Sequence, residues 1–463
     1  MDYNEFISGK MAAIMPTGFH GPFELPESLF PMQRDLVSWA LKRGRAAIFA
    51  DTGLGKSRMQ VAWAAQVHEL TGLDVMILAP LAVAQQTIAE GAEIGVTITR
   101  CREPGDVRPG LNITNYDRIH KFDCSQFGAV VLDESSCIKH HTAKTLQTLM
   151  DAFGHCFYKL CATATPAPND WTELGTHAEF LGICSRAEML AEFFVHDGGE
   201  TQTWRLKGHA KHLFWQWVAS WGAMIRKPSD LGYDDAMYAL PPLVVVDHVV
   251  DTDEDKIADN GMLFALEAST MSERREAKKA SMANRVQQCA DIVNSSTDTW
   301  VIWCELNAEA DALKSAIPEA VEIRGPDDAD FKERRLMEFA QGKTRVLITK
   351  ASITGWGLNW QHCNNTAFVG VSDSFEAYYQ AIRRFWRFGQ KKEVTVHRFA
   401  SQLESAVMKN LERKQADAIA MGESLAMETR AAVMAQIKGA SRTTNSYNAD
   451  QKVKAPQWLV SEV

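Results

Sequence analysis

Several things are missing from this chain of 463 residues, and each absence narrows what it can be. No apolar run reaches the roughly 18–20 residues needed to span a bilayer, so no membrane partner is expected. The stretch from Met1 to Lys10 carries Asp2 and Glu5 and no apolar segment, so no secretory leader is read there and a cytoplasmic setting is expected. Nine cysteines are scattered without a CxxC pair, which fits reduced thiols better than disulfides or zinc. Cys137 and His141 have ligand-like spacing, but no second pair joins them. Positive charge is in deficit: 49 Lys and Arg stand against 58 Asp and Glu, a net charge of −9. That argues against coating nucleic acid through global charge and leaves room for a local basic track. No repeat of fixed period is present.

What remains is a globular composition, 46% hydrophobic and 23% charged, at a length that suits two domains with an insertion. Residues 1–30 are punctuated by Pro and Gly and read as a surface segment. Met32 to Arg43 reads as a helix, Ala46 to Ala50 as a buried strand, and Lys56 to about Glu69 as a second helix. Strands at Val75–Ala79, Leu111–Thr114 and Ala129–Leu132 follow, with a helix at Ala84–Glu90. Strands alternating with helices predict a parallel sheet covered on both faces. Between 180 and 240, Phe214, Trp217 and Trp221 recur at helical spacing near Trp204 and Trp215, which predicts a helical insertion whose aromatics form its core. Pro241-Pro242 ends it, Leu243 to Val250 is extended, and Asp251 to Asp255 reads as a linker. A second alternation has strands at Trp300–Cys304, Val321–Ile323, Arg345–Thr349 and Ala367–Val371. Leu403 to Ile437 reads as mostly helical, and Lys438 to Ala455 as a polar, flexible tail. The expected division is 1–30, a first lobe over 31–180, an insertion over 181–245, a linker and connecting helix over 246–285, a second lobe over 286–402, and C-terminal helices and tail over 403–463.

The chemistry concentrates in a few segments. Ala50-Asp51-Thr52-Gly53-Leu54-Gly55-Lys56-Ser57 lies between a strand and a helix, as a phosphate-binding loop must. Backbone N–H groups around Thr52, Gly53 and Gly55 would cradle phosphate oxygens, Lys56 would reach the β- and γ-phosphates, and Ser57 would ligate Mg²⁺. Asp133-Glu134 ends an apolar strand, where one carboxylate can hold Mg²⁺ and the next can polarise a water. Gln33 offers a donor and an acceptor that match an adenine edge. Thr163 and Thr165 offer hydroxyls that could link a nucleotide site to a nucleic-acid site. The glycines in Thr354-Gly355-Trp356-Gly357-Leu358-Asn359 allow close approach to a phosphate chain. Far along the chain, Gln380 to Gln390 reads as an amphipathic helix. Tyr378, Ile382 and Phe385 share one face; Gln380, Arg383, Arg384 and Arg387 share the other. Arginines fixed in a row suit a phosphate, and the loop more than 300 residues earlier can supply one. Arg274, Arg275, Lys278 and Lys279 make a further basic helical face that could track a backbone.

Taken in order, these segments resemble the motif series of superfamily 2 helicases, most closely the Swi/Snf-type ATPase branch. Gln33 is similar to the Q motif, 50–57 to motif I, Ala79-Pro80-Leu81 to motif Ia and Thr114-Asn115-Tyr116 to motif Ib. Asp133-Glu134-Ser135-Ser136 resembles motif II, 162–166 motif III, 301–304 motif IV, 355–359 motif V, and Gln380 to Gln390 motif VI. The resemblance implies an α/β fold of two RecA-like parallel-sheet lobes with ATP and Mg²⁺ between them and nucleic acid across their top. It implies catalytic roles for Lys56, Asp133, Glu134, Gln380, Arg384 and Arg387, and ATP contacts from Gln33, Thr52, Gly53, Gly55, Ser57, Gly355 and Gly357. Nucleic-acid contacts fall to Pro80, Asn115, Thr163, Thr165, Lys350 and Asn359. Three departures stand out: Ser135-Ser136 in place of Ala-His, a longer stretch from Thr349 to Asn359, and Arg383 where many relatives carry an acid.

The expected activity is ATP-dependent movement along duplex or branched DNA in replication, recombination or repair, by a monomer. An RNA helicase, a motor subunit of a larger nuclease or recombination complex, and a nucleotide-driven binding switch stay open. The compact size resembles motors of bacteriophages and mobile elements, near a nucleoid. The apolar Pro456-Gln457-Trp458-Leu459-Val460 after the polar tail is a candidate protein-docking segment.

Overall fold

A computed structural model describes residues 17–80, 83–138, 144–167, 170–196, 204–250, 278–354, 359–370 and 374–401, with scattered positions of a helical stretch between 408 and 434. The linker expected at 251–255, Arg274, Arg275, Gly355, Gly357, the tail from 438 and the segment 456–460 lie outside the described residues.

The first lobe is a seven-stranded parallel sheet in the order β3-β4-β2-β5-β6-β1-β9. Its strands are β1 (Arg45–Ala50), β2 (Val75–Ala79), β3 (Ile98–Arg100), β4 (Leu111–Asn115), β5 (Ala129–Asp133), β6 (Tyr158–Thr163) and β9 (Gly222–Ile225). β2, β4 and β5 are buried at every position. Strands covered on both faces must be apolar throughout, which is why they read as continuous runs. Helix α1 (Pro31–Arg43) carries Pro at its first turn and Lys42 and Arg43 at its last, and Gly44 stops it at φ 73°, donating its N–H to the Ala40 carbonyl. Helix α2 (Lys56–Thr71) follows the glycine loop, and α3 (Ala84–Glu93) follows β2.

The expected insertion is not a body apart. A helix at Arg186–Phe193 leads into a small antiparallel pair, β7 (Phe194–His196) and β8 (Trp204–Leu206), then helix α4 (Lys211–Ala219) and β9, which pairs with β1 in the main sheet. Phe214, Trp215, Trp217 and Trp221 are core residues, as their spacing predicts, but they pack in one cluster with Phe49, Leu132 and Phe153 of the first lobe. At about 1.5–3 kcal/mol per buried large side chain, an aromatic layer on this face is stable only against the sheet it covers.

The second lobe is a six-stranded parallel sheet in the order β10-β15-β14-β11-β13-β12. It comprises β10 (Leu243–Val250), β11 (Trp300–Trp303), β12 (Val321–Glu322), β13 (Val346–Thr349), β14 (Asn365–Phe368) and β15 (Val394–Ser401). β10, divided by the expected boundary at 245, pairs with β15 along all eight residues and belongs wholly to this lobe. Helix α5 (Ala329–Ala340) lies between β12 and β13, and α6 (Phe375–Ile382) follows β14. The helix expected over Gln380–Gln390 therefore ends at Ile382; Arg383 caps it, and a series of tight turns carries the chain to Gln390. The turns hold because Phe385 is fully buried and Gln390 Nε2 donates to the carbonyls of Gln361, Cys363 and Phe385.

Among the described residues no helix is long and apolar enough to cross a membrane, all cysteines are free, and no side-chain cluster could hold a metal through three His, Cys, Asp or Glu ligands.

Candidate functional site

Every strand of the first lobe that carries a motif ends on the same edge of the sheet. β1 ends at Ala50 before the glycine loop, β2 before Pro80, β4 at Asn115, β5 at Asp133 and β6 at Thr163. Parallel topology forces this: all carboxyl ends point one way, and the loops leaving them gather into one crevice. The second lobe turns its corresponding region toward it. Between the lobes lies a cavity of about 410 Å³ lined by Gln33, Thr52, Gly53, Gly55, Lys56 and Ser57, by Asp133 and Glu134, and by Gln380, Arg384 and Arg387. Residues more than 300 positions apart meet here as expected.

The loop has the shape that phosphate binding needs. Gly53 and Gly55 have φ of 87° and 81°, a region L side chains rarely enter. A Cβ on Gly53 would come within 2.9 Å of the Phe388 nitrogen of the other lobe, and one on Gly55 within 2.2 Å of Gln33 Nε2. Lys56 begins α2, so its N–H and those beside it point into the cavity with the positive end of the helix. Its Nζ donates to the Ala50 carbonyl at 3.0 Å and the Asp51 carbonyl at 3.4 Å. Burial pulls its pKa down, against the opposing pull of Glu134, Asp51 and Asp133.

Asp133 is buried, accepts from Gln60 Nε2 at 2.7 Å and from the Glu134 N–H at 3.1 Å, and has its pKa raised to about 7 by burial and by Glu134. This buried carboxylate shares the cavity with Lys56 and Ser57, and the hard oxygen donors of Ser57 and Asp133 fit Mg²⁺. Glu134 adopts φ 51°, the one non-glycine residue in the left-handed region among the described residues. Such strain, on the order of 1 kcal/mol, persists where the surroundings over-determine a functional geometry. Thr163 Oγ1 donates to Glu134 Oε2 at 3.3 Å. Gln60 was not singled out from the sequence, though it lies one turn beyond Lys56 on the same face of α2.

On the second lobe, burial lowers the Arg384 pKa to about 9, with Arg387 adding to it, and lowers Arg387 to about 10. Two desolvated cations beside each other favour an anion between them. The Arg384 guanidinium lies 5.2 Å from the Trp360 ring centre. Arg383 behaves differently. It forms an ion pair with Asp51 of the glycine loop, and Tyr379 donates its hydroxyl to Asp51 Oδ1 at 2.8 Å. Burial would lower the Arg383 pKa, but Asp51 and Tyr379 raise it overall.

Three expected site residues have surroundings that their spacing does not foretell. Gln33 is buried; it accepts from the Phe30 N–H at 3.0 Å and donates to the Leu54 carbonyl at 2.9 Å, so much of its amide holds the glycine loop. Thr163, expected at nucleic acid, is fully buried, and its hydroxyl is turned to Glu134. Asn359, expected at the same face, lines the cavity between the lobes. Pro80, Thr165 and Lys350 are half-buried, and Asn115 is buried at the strand end.

No family model matches the chain. Over 94 residues, 20% of this chain, it is 33% identical to the bifunctional helicase and thymine dioxygenase JBP2 of Leishmania braziliensis, and 32% identical to JBP2 of Leishmania infantum. The match spans 9% of the length of these curated relatives. The solved SWI2/SNF2 ATPase core of Sulfolobus solfataricus in complex with dsDNA is 15% identical, with a TM-score of 0.42, over 90% of this chain and 98% of that one.

Proposed function

We propose that this chain is an ATP hydrolase of the Swi2/Snf2 type that couples hydrolysis to movement along DNA. The observation that carries the reading is that Arg384 and Arg387 of one lobe share a cavity with Lys56, Asp133 and Glu134 of the other. Hydrolysis then requires both lobes, and anything that moves them apart stops it.

In this reading Lys56 neutralises the β- and γ-phosphates and the loop N–H groups hold them. Ser57 and Asp133 would hold Mg²⁺, which supplies charge neutralisation at the phosphate oxygens. Glu134, steadied by Thr163, orients and polarises the attacking water. Arg384 and Arg387 take up the charge that develops on the transferred phosphoryl group, and Gln380 borders the same space. DNA is favoured over RNA by the motif series and by the similarity to a helicase whose second activity acts on thymine.

The test is steady-state ATP hydrolysis with no nucleic acid, duplex DNA, single-stranded DNA, branched DNA and RNA, with Lys56→Ala as blank. Stimulation by duplex or branched DNA is expected. Stimulation by RNA alone would move the protein to RNA, and hydrolysis that persists in Lys56→Ala or Glu134→Gln would reject the site.

A further inference from the structure

Away from the nucleotide cavity, three arginines meet on the motif-bearing edge of the first lobe. Arg100 ends β3, Arg102 follows it, and Arg118 lies just beyond β4. With Thr114 and Asn115 they line a small recess that begins at α3. Ala79, the residue before Pro80, pairs with Asn115 in the sheet, so the recess adjoins both segments expected at nucleic acid.

Two features set the recess apart from an ordinary surface dimple. Thr114 Oγ1 and Asn115 Oδ1 are buried without a hydrogen-bond partner among the described residues. An orphaned buried polar atom costs on the order of 1–3 kcal/mol, so it needs a compensating role. Two of the three cations, meanwhile, are satisfied from the other lobe. Arg100 makes two parallel bonds to Glu333 of α5, at 2.9 and 2.8 Å, and Arg102 pairs with Asp330 at 3.2 Å. A forked arginine grips a carboxylate and a phosphate with the same geometry.

We propose that Arg100, Arg102 and Arg118, with Thr114 and Asn115, form a site for the phosphate backbone of duplex DNA, and that Glu333 and Asp330 occupy it when DNA is absent. The inference rests on the DNA reading above and deepens it. DNA presents a negative charge about every 1.7 Å of its axis, so it can replace two carboxylates and also engage Arg118. Exchange frees α5 from the first lobe. DNA then acts on the relation between the lobes, and through it on the nucleotide cavity, without touching ATP. The carboxylates also favour release at each cycle, since they recapture the arginines when the backbone moves on.

The experiment is nucleotide-free binding of a short labelled duplex, read by fluorescence anisotropy across a salt series. Replacing one mostly buried bidentate pair and one exposed pair should change affinity roughly five- to tenfold. Glu333→Gln with Asp330→Asn is expected to tighten binding by that factor. Arg118→Gln, which gives up a 3.4 Å bond to the Arg102 carbonyl but leaves both carboxylate pairs in place, is expected to weaken it and lower the salt slope by about one. Unchanged or weaker binding by the carboxylate variant would overturn the proposal, as would an Arg118→Gln variant identical to the wild type. A gain seen with RNA and not with duplex DNA would overturn the assignment to DNA. Because no ATP is present, the gain can appear in a protein that fails every hydrolysis assay; that outcome would reject the translocase reading and keep this site.

Discussion

Removing the Arg383 guanidinium should loosen the lobes before it touches ATP. Its ion pair with Asp51 is nearly enclosed, with side chains 7% and 18% exposed. Arg383 is also packed between rings, 5.4 Å from the Tyr379 centre and 4.9 Å from that of Trp386. Breaking a fully buried pair costs about 3–5 kcal/mol because a charge is stranded. Here Asp51 would keep the Tyr379 hydroxyl and the Thr52 N–H, at 2.8 and 2.7 Å, so the loss is smaller, about 2 kcal/mol. That corresponds to roughly thirtyfold in the equilibrium between closed and open lobes. The assay is a double-mutant cycle of Arg383→Gln and Asp51→Asn, read by energy transfer between dyes on the two lobes and by kcat and KM for ATP. The double variant should be little worse than either single one, with a coupling above 1 kcal/mol. kcat should fall more than KM rises, because closure assembles the arginines around bound nucleotide. Additive effects, or lobes that stay closed in Arg383→Gln, would refute the reasoning.

Arg387→Ala should slow turnover on the order of 10³-fold while ATP affinity stays within a few-fold; single-turnover hydrolysis beside nucleotide binding checks this. Gln60→Ala should weaken Mg²⁺-dependent hydrolysis more than Mg²⁺-free nucleotide binding, since it removes the 2.7 Å bond that aims Asp133. Titrating hydrolysis with Mg²⁺ at fixed ATP reads the difference. At acid pH the second lobe should fail through its edge. His248 Nε2 and His397 Nδ1 lie 2.9 Å apart across β10 and β15, and burial with its neighbour His248 lowers His397 to about 4. A lowered folded value means stability present above the ordinary value near 6.5 and lost as pH falls through about 4. Thermal unfolding from pH 7 to 4 should show a shallower acid decline in His397→Gln than in the wild type; equal slopes would place the acid sensitivity elsewhere.

The residues proposed to bind and hydrolyse ATP were legible because their chemistry is local. A glycine loop between a strand and a helix, two acids after an apolar strand, and arginines three apart before Gly389-Gln390 carry their meaning in order and spacing. The alternation of strands and helices likewise predicts parallel sheets, since each buried strand must be apolar on both faces. Tertiary structure decided the rest. Gly222–Ile225 and Leu243–Val250 are short or extended apolar runs, and only their neighbours place them in different sheets. The helix before Arg383 stops where Phe385 finds the core, a long-range event invisible to periodicity. Thr163 and Gln60 serve the carboxylates because β6, β5 and α2 lie side by side. The contacts Asp51–Arg383 and Arg100–Glu333 join residues 332 and 233 positions apart. The amino-acid order determined which groups could act on a phosphate. Packing of the two sheets determined which carboxylates face which arginines, because Coulomb and hydrogen-bond energies depend on distance in space and not along the chain.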